Sequence, residues 1–304
     1  MLVLLTIRIN NMKQLDRSSI QGCIDLHIHS SFSDGTDTPA QIVRSAKQLG
    51  LAAIAITDHD TIDGVAEAEA AGLECGLEVI PGCEIAAETP YGEMHILAFW
   101  PDLENADFLQ FLESQRLMRH ARNSEILEKL KKFAINIDLA ELAANSGGKL
   151  NSIGRPHIAK GLVSKKFALS IPDAFNKYLA AGRKAYVERK LMPPIEVFSV
   201  LKKAGATTIF AHPMALPAPL SWFEEQIANF SNLGLLDGLE AYHPEHDAAK
   251  LATTVGLAKK YKLLLSGGSD YHGKVKPTIY LGKGTGALRV PYRLLELLEE
   301  SRGL

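Results

Sequence analysis

Short apolar runs that end in histidine or a carboxylate recur along this chain, and most are followed by a helical pattern. That rhythm constrains the fold more than any other feature. "CIDLHIHS" (Cys23 to Ser30) is strand-like and ends in polar residues. "PAQIVRSAKQLG" (Pro39 to Gly50) follows, with proline at a helix start, apolar Ile42, Val43, Ala46 and Leu49, and glycine at the end. "LAAIAITDHD" (Leu51 to Asp60) reads as a buried strand and "DGVAEAEAAGLECG" (Asp63 to Gly76) as a helix. "LEVIPGCEIAA" (Leu77 to Ala87) and "GEMHILAFW" (Gly92 to Trp100) read as two more strands. From Pro101 to about Lys190 the rhythm stops. "DFLQFLESQRLMRHARNSEILEKLKKF" (Asp107 to Phe133) opens a helical stretch without a convincing strand. The alternation then returns: a helix in "EVFSVLKKAG", a strand in "TTIFAHP" (Thr207 to Pro213), a strand in "LDGLEAYHP" (Leu236 to Pro244), a helix from Asp247 to Lys262 and a strand in "LLLSGGSDYH" (Leu263 to His272).

Seven candidate strands alternating with helices predict an α/β barrel of parallel strands with crossover helices. The expected division is an extension at 1–21, a barrel at 22–100 and 192–304, and an inserted helical cap at 101–191. In such barrels the strand ends and the following loops share one mouth, where chemistry sits. Residues distant in sequence then converge there: His27, His29, Asp34, His59, Glu84, His95, His212, Asp270 and His272.

Taken singly, each of these has a bland explanation. An isolated His-x-His is usually a pair of half-buried, hydrogen-bonded rings, and "SDG" is a common turn. Together they point elsewhere. His27 and His29, two apart in a strand, face the same way and can share an ion. Six of the ten histidines fall on one predicted rim. So many imidazoles and carboxylates would compete for protons unless a cation sat among them. A mixed nitrogen and oxygen set suits borderline divalent metals, and nine ligands are too many for one ion. A centre of two or three metal ions is expected.

Composition narrows the partners. With 304 residues, 46% hydrophobic and 22% charged, the chain reads as an ordinary soluble globular protein. The net charge of −2 supplies no bulk attraction to nucleic acid or anionic membrane, so any phosphate affinity is local. Three scattered cysteines make no disulfide framework and fit a reducing, cytoplasmic setting. The apolar run Leu2 to Ile9 has no basic residue before it and is too short to span a bilayer. It is expected to be a short strand or a disordered extension, and Met12 offers a second start site.

The motifs "DLHIHSSFSDGTDTP", "AITDHDTIDG", "IPGCEI", "EMHILAF", "RPHIA", "FAHP", "LEAYHPEH" and "SGGSDYHG" resemble those of the PHP (polymerase and histidinol phosphatase) family over roughly Asp25 to Gly273. The resemblance implies a distorted (β/α)7 barrel of the PHP type with an inserted helical cap. It also implies a three-metal centre that hydrolyses phosphoesters. The "RPHIA" insertion and "LEAYHPEH" look most like the branch of 3′,5′-nucleoside bisphosphate phosphatases and small 5′-to-3′ exoribonucleases. Carried over residue by residue, His27, His29, Glu84 and Asp270 would hold one metal. Glu84, His95 and His212 would hold a second, and Asp34, His59 and His272 a third. Mn2+ is the expected metal, with Zn2+, Fe2+ or Mg2+ as alternatives, and a hydroxide bridging the first two metals would attack phosphorus in line.

Asp58, beside a ligand, is expected to accept an imidazole N–H. His243 either protonates the leaving oxygen or only binds substrate beside the ligands. A second phosphate would need cations outside the cluster: Arg155 first, with His157 beside it, then Arg183 and Lys184. Arg116, Arg119 and Arg122 read mostly as solvated charges. The expected partner is a small phosphorylated nucleotide or short RNA, with no membrane and no obligate protein partner. The other readings are a histidinol-phosphate-type monophosphatase, a non-catalytic metal-binding module, and a proofreading nuclease that works beside a polymerase chain.

Overall fold

The computed structural model describes residues 22–144 and 153–304, so the expectation for the first 21 residues lies outside the described residues. In chain order the elements are β1 (Cys23–Asp25), α1 (Pro39–Gln48), β2 (Ala53–Ile56), α2 (Val65–Cys75), β3 (Glu78–Thr89), β4 (Gly92–Phe99) and α3 (Ala106–Lys131). Then come α4 (Leu139–Ala144), α5 (Arg155–Ser164), α6 (Ile171–Ala174), α7 (Pro194–Lys203), β5 (Thr207–Phe210), α8 (Leu220–Asn232), β6 (Gly238–Tyr242), α9 (Ala248–Tyr261), β7 (Leu264–Gly267), β8 (Val290–Pro291) and α10 (Arg293–Arg302).

The helices start where the sequence signals them. Thr38 caps α1 by accepting from the Gln41 amide, the Gln41 side chain answers the Thr38 amide, and Pro39 occupies the first turn. Ile42, Val43 and Ala46 form the stripe that α1 buries against the sheet.

One sheet of eight strands runs in the order β7-β6-β5-β4-β3-β2-β1-β8. It curls until its ends nearly meet, as the (β/α)7 barrel reading expected. The seam is made by the chain just past β1 and β7. The Leu26 N–H donates to the Gly267 carbonyl (3.1 Å), Asp270 N–H to the His27 carbonyl (2.9 Å) and His29 N–H to the Tyr271 carbonyl (2.9 Å). Gly268 sits in this seam. A Cβ there would lie 2.3 Å from the His27 amide nitrogen, closer than atoms can approach. Gly268→Ala is therefore expected to open the seam and lower unfolding stability by about 2–3 kcal/mol, the scale of overpacking a tight site. A urea midpoint unchanged from wild type would show that the seam tolerates the methyl group.

The sheet corrects one expectation. The alternation predicted parallel strands throughout, but β4 is antiparallel to both β3 and β5. Two residues, Pro90 and Tyr91, separate β3 from β4, and a connection that short makes only a hairpin. The reversal has a functional consequence. His95 lies in the first half of β4, opposite Ala86, so it reaches the rim where the parallel strands end. β8 also runs antiparallel to β1, and with α10 it closes the barrel's interior cluster of Ile24, Leu26, Ile80, Leu97 and Phe99.

The helical insertion has its own core, in which Ile126, Leu127 and Leu130 pack with Ile158, Leu162, Ala174 and Leu179. The long helix α3 belongs to both cores. Its first turns place Phe108, Phe111 and Leu112 against Val197, Phe198 and Leu201 of α7 beside the barrel. Its later turns form the insertion's floor. That one helix thereby links the insertion to the barrel.

Candidate metal centre

Glu84 is the hub of the rim. The backbone of β3 brings it beside the end of β2: Glu84 N–H donates to the Asp58 carbonyl, and Asp60 N–H donates to the Glu84 carbonyl. Five imidazoles surround its buried carboxylate. Oε1 lies 2.9 Å from His95 Nδ1, 3.2 Å from His212 Nε2 and 3.3 Å from His27 Nε2. Oε2 lies 3.0 Å from His59 Nδ1 and 3.3 Å from His29 Nε2. His27 and His29 share a face as their spacing requires, with Nε2 atoms 3.1 Å apart. Asp270 Oδ1 stands 3.3 Å from His29 and 3.4 Å from His272, and Asp34 Oδ1 stands 3.2 Å from His272. All nine side chains singled out in the sequence meet in this one cluster. Asp60, His212 and Asp270 hold left-handed backbone (φ 56°, 30° and 52°), strain of a kind concentrated at functional sites.

The charges are strongly coupled. Burial opposes ionisation of Glu84, Asp34 and Asp270, yet neighbouring cations and imidazoles hold all three well below the ordinary carboxylate range. Burial likewise opposes charge on His29 and His95. Asp270 and Glu84 outweigh it at His29, bringing it up to about 9, and Glu84 and Glu93 bring His95 up to about 10. Burial wins at His59, which falls to about 4. A cluster that draws protons this way also draws divalent cations. Side-chain atoms able to hold an ion form groups within 4.8 Å of one another: His29, Asp34, His59 and His272; His27, His29 and Glu84; Glu84, His95 and His212; and His27, His212 and Glu240. The buried Asp34 Oδ1 has no hydrogen-bond partner. Nitrogen and oxygen donors in these numbers fit divalent metal ions.

Around the hub, some expectations change. Asp58 accepts from the Ser30 hydroxyl (2.5 Å), the Ser30 amide (2.7 Å) and the Ser33 hydroxyl (2.5 Å), and from no imidazole. Its neighbour His59 points to the cluster, so Asp58 turns the other way and ties down the loop after β1. Ser33 Oγ in turn lies 3.5 Å from His29 Nδ1, so Asp58 reaches an imidazole only through that hydroxyl. His243 Nδ1 accepts from the Glu245 amide (3.2 Å). This puts the proton of the neutral ring on Nε2, which has no hydrogen-bond partner and faces Asp270 Oδ2 at 3.7 Å. Sequence reasoning missed Glu240, fully buried against His27, and Lys276, whose Nζ lies 2.5 Å from Asp270 Oδ2. The glutamate inside "LEAY" was the available signal, a charged residue in the middle of a buried strand.

The cap's cations also sit differently from the expectation. Arg119 and Arg122 are not solvated. They lie three apart on the face of α3 turned to the rim. Arg119 pairs with the buried Asp60, and Arg189, which sequence reasoning passed over, joins the same carboxylate at 2.7 Å. Arg122 donates to the Val187 carbonyl and lies 3.8 Å from Glu93, which also faces Arg155 at 3.5 Å and His95 at 3.9 Å. Arg116 pairs with Asp63 and Glu113. His157 is buried, its Nδ1 accepts from the Gly154 amide, and burial holds its pKa down, so it stands neutral rather than cationic. Arg183 and Lys184 are exposed, and Lys184 lies over the Phe133 ring beyond the far end of α3.

Among the described residues no helix is long and apolar enough to cross a membrane. The family model of the PHP domain matches residues 25–188, more than half of the chain. His212, Glu240, Asp270 and His272 lie beyond that span, so their part in the cluster rests on the fold. A 5′-3′ exoribonuclease of Haemophilus influenzae is 32% identical over 82% of this chain and 89% of its own. A phosphoribosyl 1,2-cyclic phosphate 1,2-diphosphodiesterase of Eggerthella lenta is 29% identical over 85% and 97%, and a 3′,5′-nucleoside bisphosphate phosphatase of Chromobacterium violaceum 28% over 82% and 87%. A crystal structure from Bifidobacterium adolescentis, described as a candidate metal-dependent phosphoesterase, superposes with a TM-score of 0.83 at 33% identity over 94% of this chain and 97% of that one. With its near-closed barrel, its histidine and carboxylate rim and these relatives, the chain is a hydrolase that belongs to the PHP family.

Proposed function

We propose that the protein is a metal-dependent phosphoesterase acting on nucleotides that carry a second phosphate. It would remove the 3′-phosphate of 3′,5′-bisphosphonucleotides, trim short 5′-phosphorylated RNA, or do both. The observation that carries this reading is the meeting of two sets of side chains at one rim: the cluster around Glu84, and the arginines that Glu93 and Asp60 hold beside it. His27, His29, Glu84 and Asp270 would hold one ion. Glu84, His95 and His212 would hold a second, and Asp34, His59 and His272 a third. Mn2+ is the proposed metal, in the reducing cytoplasm that three free cysteines suit. Bound there, divalent ions neutralise phosphate oxygens and activate water near neutral pH.

The chain's own groups then divide the remaining work. His243 Nε2–H, buried beside Asp270, is aimed to give a proton or a hydrogen bond to the leaving oxygen. Lys276 neutralises the outer oxygen of Asp270 and fixes which oxygen faces the cluster. Arg155, with Arg122 beside it, would take the non-scissile phosphate by exchanging Glu93 for a stronger anion. Gln115 Nε2, Arg122 Nη2 and Arg189 Nε are buried without hydrogen-bond partners among the described residues.

The test is phosphate release with Mn2+ from a 3′,5′-bisphosphonucleotide, a 5′-phosphorylated oligoribonucleotide, a cyclic phosphodiester and histidinol phosphate. Turnover of histidinol phosphate alone, or of the cyclic diester alone, would overturn the substrate reading. Arg155→Ala should cost about 2 kcal/mol in kcat/KM for the bisphosphate, roughly thirtyfold, the scale of one hydrogen bond to a charged group. An aryl monophosphate, which lacks the second phosphate, should change little. Equal losses on both substrates would place Arg155 in the fold rather than in recognition.

A further inference from the structure

Glu240 projects from β6 into the buried back of the cluster. The register of β6 against β7 shifts between Glu240 and Tyr242, a bulge of the kind that re-aims a side chain. Both oxygens are engaged. Oε1 lies 3.0 Å from His27 Nδ1, and Oε2 accepts from the His212 backbone amide at 2.7 Å. The carboxylate is wholly buried, so solvent competes for neither oxygen.

His27 and His212 follow different strands, β1 and β5, and approach Glu84 from two sides. We propose that Glu240 is the positioning residue that sets the tautomer of His27 and the backbone of His212, and that it is not itself a metal ligand. This rests on the metal-centre reading above. With a carboxylate at Nδ1, the His27 proton is held there, and Nε2 keeps its lone pair toward Glu84, His29 and Asp270. The same carboxylate anchors His212 in its left-handed backbone (φ 30°), which a free strand end would relax. One buried group therefore aligns two imidazoles that would serve neighbouring ions.

Glu240→Gln separates these roles without changing shape. The His212 amide can only donate, so it claims the glutamine oxygen. The glutamine NH2 then faces His27 Nδ1 and turns it into an acceptor. The His27 proton moves to Nε2 and covers the nitrogen that should face the metal. Titrating the metal-free protein with Zn2+ by calorimetry should show wild type binding and the variant losing about 10- to 100-fold in affinity at that site, the usual cost of losing such a partner. Histidine-selective 15N spectra of the Zn2+-loaded wild type should show His27 protonated at Nδ1 and bound through Nε2, a readout that needs no variant.

If wild type binds no divalent ion, the metal-centre reading itself fails. If wild type binds and Glu240→Gln binds as tightly, Glu240 does not position His27. If the spectra show His27 bound through Nδ1, Glu240 belongs among the ligands with His27 and His212, and the inference is overturned.

Discussion

Glu84→Gln is expected to lower kcat/KM for phosphoester hydrolysis by about a thousandfold or more at saturating Mn2+, with the fold kept. Removing a single charge-stabilising donor already costs about a hundred- to a thousandfold in enzymes of acyl transfer. Glu84 does more than one such job: its two oxygens face five imidazoles, and it stands in two of the four ligand groups. The amide is the same size, so packing is untouched. Its NH2 carries no lone pair for an ion and points protons at imidazole nitrogens that should be metal-facing. Metal retained after dialysis should fall along with activity. Near-wild-type turnover at saturating Mn2+ would remove Glu84 from the centre of the reaction.

Asp60→Asn is expected to be the most damaging substitution for stability outside the hydrophobic cores. Asp60 is buried and accepts from Arg119 on α3 and from Arg189 where the cap returns to the barrel. Taking away the anion leaves two arginines, one of them fully buried, without their counter-charge. Breaking a buried pair from one side costs about 3–5 kcal/mol. At roughly 2–4 °C per kcal/mol for a large domain, the thermal midpoint should drop by about 10 °C.

The pH dependence supplies a second check. Burial opposes ionisation of Asp60, but Arg189 and Arg119 bring its pKa down to about 2 from an ordinary 3.8. A carboxyl lowered by folding stabilises in full above its unfolded pKa and loses that contribution as pH falls toward the folded one. The gap between wild type and Asp60→Asn should therefore be full at pH 7 and narrower by about 1 kcal/mol at pH 3. Urea unfolding at both values measures it. A gap under about 1 kcal/mol at pH 7 would mean that hydrophobic packing alone docks the cap.

Much of the site was legible because its signals are local. Two histidines two residues apart in a strand must share a face, whatever the rest of the chain does. Strand ends in an α/β barrel share a rim, so histidines and carboxylates at strand ends were bound to meet. Asp58 shows where local reasoning failed: adjacency to His59 suggested a partner for an imidazole, whereas adjacent residues in extended chain diverge. The solvated reading of Arg119 and Arg122 failed for another cause. Their anions, Asp60 and Glu93, arrive from the loop after β2 and from β4, and helical spacing says nothing about what faces a helix.

The sequence by itself determined the alternation of strands and helices, the helical stretch after β4 and the rim residues that follow β1, β2, β5 and β7, because periodicity, capping and strand ends are encoded within a few neighbouring positions. Only the tertiary structure decided that β4 runs backward and so carries His95 to the rim, that Glu240 lies behind His27 and His212, and that Asp60 ties the cap to the loop after β2. Each of these depends on two or more elements distant in the chain being packed together, and burial then fixes partners that no local pattern specifies.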